Sequence, residues 1–255
     1  MVDGVATVGA LPAADSTRRV PNVADVILGA ERPQNRIAHA AMQSLTRLLS
    51  RRWQLTINGL EHLPASGPVI LAANHTSFVD SPLLMFCLPR RVWFLGKAEY
   101  MDSWRTRHLF PAVGMIPIER GGRRGALSAL RAALGVLEHG QAIGIYPEGT
   151  RSRDGKLHRG HTGLGWLALR SGAPIVPVGI QGTAEVQPPD AALFKLAGDC
   201  HIAIGREIPM SRYPGRDRRA QRSVTDDVMF EISQLSGQQY VDHYAEPPEL
   251  AEVEL

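Results

Sequence analysis

Cysteine is scarce in this chain: Cys87 and Cys200 are the two in 255 residues. Neither lies in a CxxC spacing, so a disulfide scaffold or a cysteine-based zinc module lacks the ligands to be built, and both thiols read as buried, small apolar groups. Long apolar runs are missing too. The longest, such as residues 83–88, fall far short of the roughly 18 to 20 residues that cross a bilayer. Residues 1–19 have neither the basic start nor the compact apolar stretch of a secretory signal. The expected location is therefore the cytoplasm, peripheral on the cytoplasmic face of a membrane. The 25 glycines and 18 prolines follow no period and no heptad is sustained, which excludes collagen-like, low-complexity and coiled-coil chains.

What is present, 44% hydrophobic and 21% charged residues, suits a globular protein of one large domain or two small ones. The net charge of +3 conceals a division. Residues 1–170 hold 21 Lys and Arg against 12 Asp and Glu, or +9, whereas residues 171–255 hold 7 against 13, or −6. A basic part of that size suits an anionic partner such as a phosphorylated metabolite or a lipid headgroup. No nucleic acid is expected, because the arginines gather at strand ends rather than along one helix and no aromatic stacking motif accompanies them.

Residues 1–35 lack periodicity and read as an N-terminal arm, poorly ordered or laid loosely on the surface. In residues 36–54, Ile37, Ala41, Leu45, Leu48 and Leu49 recur at helical spacing among Arg47, Arg51 and Arg52. That is an amphipathic helix, whose apolar stripe either docks on the core or lies in a membrane interface with its arginines on anionic headgroups. Residues 55–237 alternate short apolar segments (WQLTI, PVILAAN, VWFLG, MIPI, AIGIY, APIVPVGI, CHIAIG) with helical ones at 82–88, 103–109, 122–138 and 162–170. A last helix, capped by Thr225 or Asp226, stops at Gly237. This alternation predicts an α/β fold: a mixed, largely parallel central sheet flanked by helices, with the amphipathic helix before it. Residues 238–255, rich in glutamate, read as an acidic, solvated C-terminal tail.

Four segments at strand ends carry candidate chemistry. In Asn74-His75-Thr76-Ser77-Phe78-Val79-Asp80, a helix would hold His75 and Asp80 about 140° apart. Ser81 as N-cap and Pro82 as first helical residue instead leave both on a turn, where the carboxylate can fix the imidazole tautomer and free the other nitrogen as a general base. A purely structural hydrogen bond is the competing reading, and the match of residues 74–76 to a glycosylation sequon is accidental in a cytosolic chain. The segment from Gly114 to Arg120, leading into Gly121-Gly122 and a helix, offers a guanidinium and free N–H groups to a phosphate. In Tyr146-Pro147-Glu148-Gly149-Thr150-Arg151-Ser152-Arg153, Glu148 is expected to pair with an arginine and Gly149 to permit close backbone approach. Ile175-Val176-Pro177-Val178 reads as a buried strand containing a proline. No GxSxG elbow, P-loop, HExxH or strand-to-helix GxGxxG is present, and His158 with His161 lacks a convincing third zinc ligand.

NHTSFVD, GMIPIER, YPEGTRSR and IVPV, in that order, resemble the four motifs of the glycerolipid acyltransferases, the family that includes the 1-acylglycerol-3-phosphate (lysophosphatidate) acyltransferases. The resemblance covers residues 55 to 210. It implies transfer of a fatty acyl group from acyl-CoA or acyl carrier protein to a hydroxyl of a glycerophospholipid acceptor, lysophosphatidate first, with glycerol 3-phosphate or another lysolipid as alternatives. It further implies His75 as general base and Asp80 as its orienting partner. Arg120, Glu148, Gly149, Thr150 and Arg151 would form the acceptor phosphate site, and Pro177 would help shape the acyl-donor region. No metal and no cofactor beyond the acyl-carrying co-substrate is implied. The chain departs from the commoner pattern at Lys156-Leu157-His158-Arg159-Gly160, where many members carry an FK-type segment, and in offering one amphipathic helix where many carry transmembrane helices; contact with an anionic membrane surface would then be peripheral. A non-catalytic lipid- or phosphate-binding protein on the same scaffold is the reading from another class.

Overall fold

All seven apolar segments become strands, the central ones buried on both faces, the first (residues 56–58) exposed to half-buried, and the last (residues 201–204) buried on one face. In a computed structural model, which describes residues 23–97, 114–118, 122–189, 191 and 193–246, the chain order is α1 (Val23–Ala30), α2 (Pro33–Arg52), β1 (Thr56–Asn58), β2 (Val69–Ala73), α3 (Asp80–Phe86), β3 (Val92–Lys97), β4 (Met115–Ile118), α4 (Gly122–Glu138), β5 (Ala142–Ile145), β6 (Leu157–His158), α5 (Gly163–Ser171), β7 (Ile175–Gln181), α6 (Thr183–Val186), β8 (His201–Ile204), α7 (Arg218–Ser236) and β9 (Tyr240–Val241). Among the described residues the central sheet has seven strands in the order β1-β8-β7-β2-β5-β3-β4. Every neighbouring pair is parallel except β7 and β8. The expected mixed, largely parallel sheet flanked by helices is thus the architecture found.

Along β2, Ile70 and Ala72 face one hydrophobic layer with residues of α1, α4, α5 and α7, whereas Val69, Leu71 and Ala73 face the other with residues of α3 and α6. Central strands covered on both sides must be apolar at every position, which is why they read as continuous runs. Met42, Leu49 and the buried Trp53 bring α2 onto the second layer.

Four expectations need correction. The arm extends less far than 35: residues 23–30 form α1, with Val26, Ile27 and Ala30 buried against the core, and the Asn35 amide donates to Gly29 O at 2.8 Å where α1 meets α2. Residues 1–22 lie outside the described ones. The tail begins later than 238. Residues 240–241 pair in parallel with residues 157–158 as a small second sheet, and the glutamates at 249, 252 and 254 lie outside the described residues. The last helix starts at Arg218, not near Thr225, because the Asp217 carboxylate accepts the Ala220 N–H at 2.8 Å and caps polar turns that carry no apolar period. It ends at Gly237, as expected, in the left-handed conformation that glycine tolerates. The 103–109 helix lies outside the described residues. Cys200 is buried but Cys87 is half-buried.

The sheet also sets the site. Strands β7, β2 and β5 are adjacent and parallel, so the segments leaving their carboxyl ends, at Gly182, Asn74 and Tyr146, emerge side by side along one edge, where open α/β sheets bind ligands.

Candidate active site

Asn74 closes β2 by completing the ladder with its side chain: Nδ2 donates to Ile180 O at 2.8 Å and Oδ1 accepts the Ile180 N–H at 2.7 Å. The amide also donates to Gln238 Oε1 at 2.8 Å. With Asn74 pinned across to β7, the chain turns sharply at residues 75–80. Asp80, 0% exposed, holds that turn together: its Oδ2 accepts the backbone N–H of Thr76 at 2.8 Å and of Ser77 at 2.9 Å, and meets His75 Nδ1 at 2.8 Å. The helix consequently begins at Asp80 rather than after Ser81; Pro82 still falls in its first turn, where a missing N–H leaves no hydrogen bond unmade.

Because the carboxylate can only accept, the hydrogen on His75 lies on Nδ1 and Nε2 is left as the acceptor nitrogen. The ring is fixed a second way, stacked on Tyr146 with centroids 3.8 Å apart and planes 7° from parallel. The Tyr146 hydroxyl shares a 2.9 Å hydrogen bond with Ser81. Burial, with the Asp80 charge added, pushes the phenol well above its usual range against the pull of Ser81, so Tyr146 remains a neutral ring.

Glu148 departs from its expected role. Its carboxylate is 1% exposed and accepts two backbone amides, His158 N–H at 2.9 Å and His75 N–H at 3.2 Å, in place of a guanidinium. It ties the loop after β5 to both the His75 turn and β6. Burial raises its carboxyl to about 7, against the two backbone hydrogen bonds. A further bond, Ser152 N–H to His75 O at 2.7 Å, laces the same two loops together. Gly149 has φ 74°, and a Cβ there would stand 3.2 Å from the His161 ring, so glycine meets both a conformational and a steric demand.

Arg151 is half-buried, and among the described residues none takes its guanidinium in an ion pair. Thr150 stands beside it on the same loop. Arg120 lies outside the described residues. Pro177 is buried within β7, in register with Ala72. The structure therefore brings His75, Asp80, Glu148, Gly149, Thr150 and Arg151 to one sheet edge and sets Pro177 beneath it. Among the described residues no group of three His, Cys, Asp or Glu side chains could hold a metal ion, and no helix is long and apolar enough to cross a membrane.

Sequence reasoning missed the layer behind the loop. His158 bonds Asp154 Oδ1 through Nε2 at 2.9 Å and lies edge-on to His243 at 5.1 Å. Tyr244 stacks on His161 at 4.6 Å, and Arg159 lies over Tyr244 at 5.6 Å. The signal available was the cluster of Tyr240, His243 and Tyr244 just past Gly237, rings that a solvated tail has no need of.

The acyltransferase family profile matches residues 54–181. A chloroplastic 1-acyl-sn-glycerol-3-phosphate acyltransferase of Brassica napus is 29% identical over 157 residues, 61% of this chain and 45% of that protein, so the match spans under half of the plant relative. The 1-acyl-sn-glycerol-3-phosphate acyltransferase of Bacillus subtilis is 26% identical over 197 residues, 75% of this chain and 93% of the relative. In structure, the 1-acyl-sn-glycerophosphate acyltransferase PlsC of Thermotoga maritima superposes with a TM-score of 0.65 at 22% identity, covering 83% of this chain and 87% of that one, and so shares the fold. With half its length, the site turn and both adjoining strand ends inside the matched region, the chain belongs to the acyltransferase family.

Proposed function

We propose that this protein is an O-acyltransferase that moves a fatty acyl group from acyl-CoA or acyl carrier protein to the free hydroxyl of lysophosphatidate. The observation that carries the reading is the His75–Asp80 hydrogen bond beside the Glu148–Arg151 loop. It supplies a base of fixed tautomer on the same sheet edge as Arg151, whose guanidinium makes no ion pair among the described residues, and the curated relatives are named for that substrate class.

In this mechanism His75 Nε2 takes the proton of the acceptor hydroxyl as its oxygen attacks the thioester carbonyl. The C–S bond breaks, the thiolate leaves, and the imidazolium returns the proton to it; no acyl-enzyme forms. Asp80 stabilises the imidazolium. General-base catalysis contributes about 10² to 10⁴ in rate, and positioning supplies the rest. Arg151, Arg120 and the N–H groups around Gly149 and Thr150 would hold the acceptor phosphate, with Glu148 fixing their loop. Pro177, being buried, would shape the floor under the acyl donor rather than touch it.

Such an acceptor resides in a membrane, and α2 suits one. Its inward side carries Met42, Thr46 and Leu49, while Ile37, Leu45 and Leu48 point outward, 70%, 49% and 58% exposed, beside exposed Arg36, Arg47, Arg51 and Arg52. Apart from Leu49 the apolar stripe is therefore not absorbed by the core, and peripheral docking on an anionic cytoplasmic face is its use. The test is an acceptor panel with purified protein and palmitoyl-CoA, products read by mass spectrometry. Transfer to lysophosphatidate, abolished in a folded His75→Ala protein, is expected; near wild-type turnover of that variant overturns the assignment.

A further inference from the structure

The loop after α6 carries its large apolar side chains outward. Leu193 is 84% exposed and Leu196 66%, with exposed Phe194 and Lys195 between them. The backbone of the same loop is firmly held: the Lys195 N–H donates to Val186 O at 2.8 Å, Lys195 O accepts from the Trp53 indole N–H at 2.9 Å, and the Phe194 and Trp53 rings meet edge-on at 5.6 Å. Leucines displayed on a fixed loop form an apolar patch that calls for an occupant.

Two connections identify the occupant. Trp53 is the C-cap of α2, so the loop adjoins the end of the helix whose outward stripe and arginines face solvent. The chain has no acidic residue from 32 to 60 or from 193 to 198, while Arg51, Arg52 and Lys195 are exposed there. Apolar side chains beside Arg51, Arg52 and Lys195 match the boundary between acyl chains and anionic headgroups, with exposed Glu185 and Asp199 standing at the two ends of the loop. On its other side the loop is bonded to Val186 of α6, and Thr183 at the start of α6 shares a 3.0 Å hydroxyl hydrogen bond with Thr76, the neighbour of His75.

We propose that residues 193–198 are a second membrane-docking contact, which seats Leu193, Phe194 and Leu196 in an anionic bilayer surface beside α2 and, through α6 and Thr76, sets the His75 turn at the level of a lipid-borne acceptor. The proposal rests on the membrane-acceptor reading above.

The test compares the full chain with the double variant Leu193→Glu/Leu196→Glu in two assays: sedimentation with phosphatidylcholine vesicles with and without phosphatidylglycerol, and acyl transfer to a short-chain lysophosphatidate in solution and a long-chain one in vesicles. Expected are a roughly tenfold or greater loss of partition to the anionic vesicles and of turnover on the vesicle-borne acceptor, with the dissolved acceptor used at the wild-type rate. Leu193→Trp/Leu196→Trp should partition at least as well as wild type. Unchanged partition of the Glu variant overturns the proposal, and so does an equal loss on the dissolved acceptor. A shift in oligomeric state with partition intact overturns it by giving the patch to a second copy of the chain. Should the wild type use neither acceptor, the activity assignment falls, while partition still decides the docking contact.

Discussion

The imidazole of His75 lies flat against the phenol ring of Tyr146, 3.8 Å away and within 7° of parallel. Asp80 fixes one edge of the imidazole, and Tyr146 fixes its plane. Stacking of this kind contributes about 0.5–1.5 kcal/mol beyond area burial, so Tyr146→Ala should lower kcat roughly tenfold with little change in either KM. Tyr146→Phe keeps the ring, loses the Ser81 bond and should stay within a few-fold of wild type. Steady-state kinetics below each variant's Tm check this; a Tyr146→Phe loss equal to that of Tyr146→Ala would assign the effect to the hydroxyl instead.

Glu148 predicts a pH dependence of stability. Its carboxyl is raised by burial from the ordinary 4.5 to about 7 in the folded protein, so the native state binds the proton more tightly than the unfolded chain. Its contribution to stability is fully present below about pH 4.5 and is lost as pH rises through about 7, an effect of roughly 3 kcal/mol at most. Glu148→Gln, which cannot titrate, should flatten that part of the stability profile in urea unfolding while costing about one hydrogen bond, since one of the two amides then faces an NH₂ group. An unchanged profile would remove Glu148 as its source.

Arg151→Ala and Arg120→Ala should raise the KM for the acceptor far more than that for the acyl donor. Charge-assisted hydrogen bonds to a phosphate are worth about 1.5–3 kcal/mol each, or roughly ten- to a hundredfold. Equal effects on both substrates would separate these arginines from the acceptor phosphate.

Ending the chain after Gly237 should destabilise it by a few kcal/mol and accelerate hydrogen exchange across residues 154–161. The truncation removes Gln238 from Asn74, strips β6 of its only ladder partner among the described residues, and takes Tyr244 from His161 and Arg159. Wild-type exchange in that stretch would show that the segment merely lies on the surface.

Much of this architecture is legible in the order of residues because the determining interactions are short in sequence. The central strands are readable since burial on both faces demands apolar residues throughout, β8 by its alternation of buried and half-buried positions, and the His75–Asp80 pair since five residues and one turn separate them. Helix α1 was not, because its eight residues become a core element only once Val26 and Ile27 find partners on α4 and the sheet. The same holds for the start of α7, whose first turns are polar and depend on Asp217.

The sequence by itself determined the fold class, the strand ends that bear the site and the charge that suits an anionic substrate, all of which follow from periodicity and local composition. Only the tertiary structure decided what those groups touch. Glu148 met buried amides rather than an arginine, Tyr146 came to lie on His75, residues 238–244 folded back behind the loop, and the apolar stripe of α2 faced outward except at Leu49, which packs on the core. Each of these joins residues far apart along the chain, and such pairings depend on how the layers pack, which no local pattern encodes.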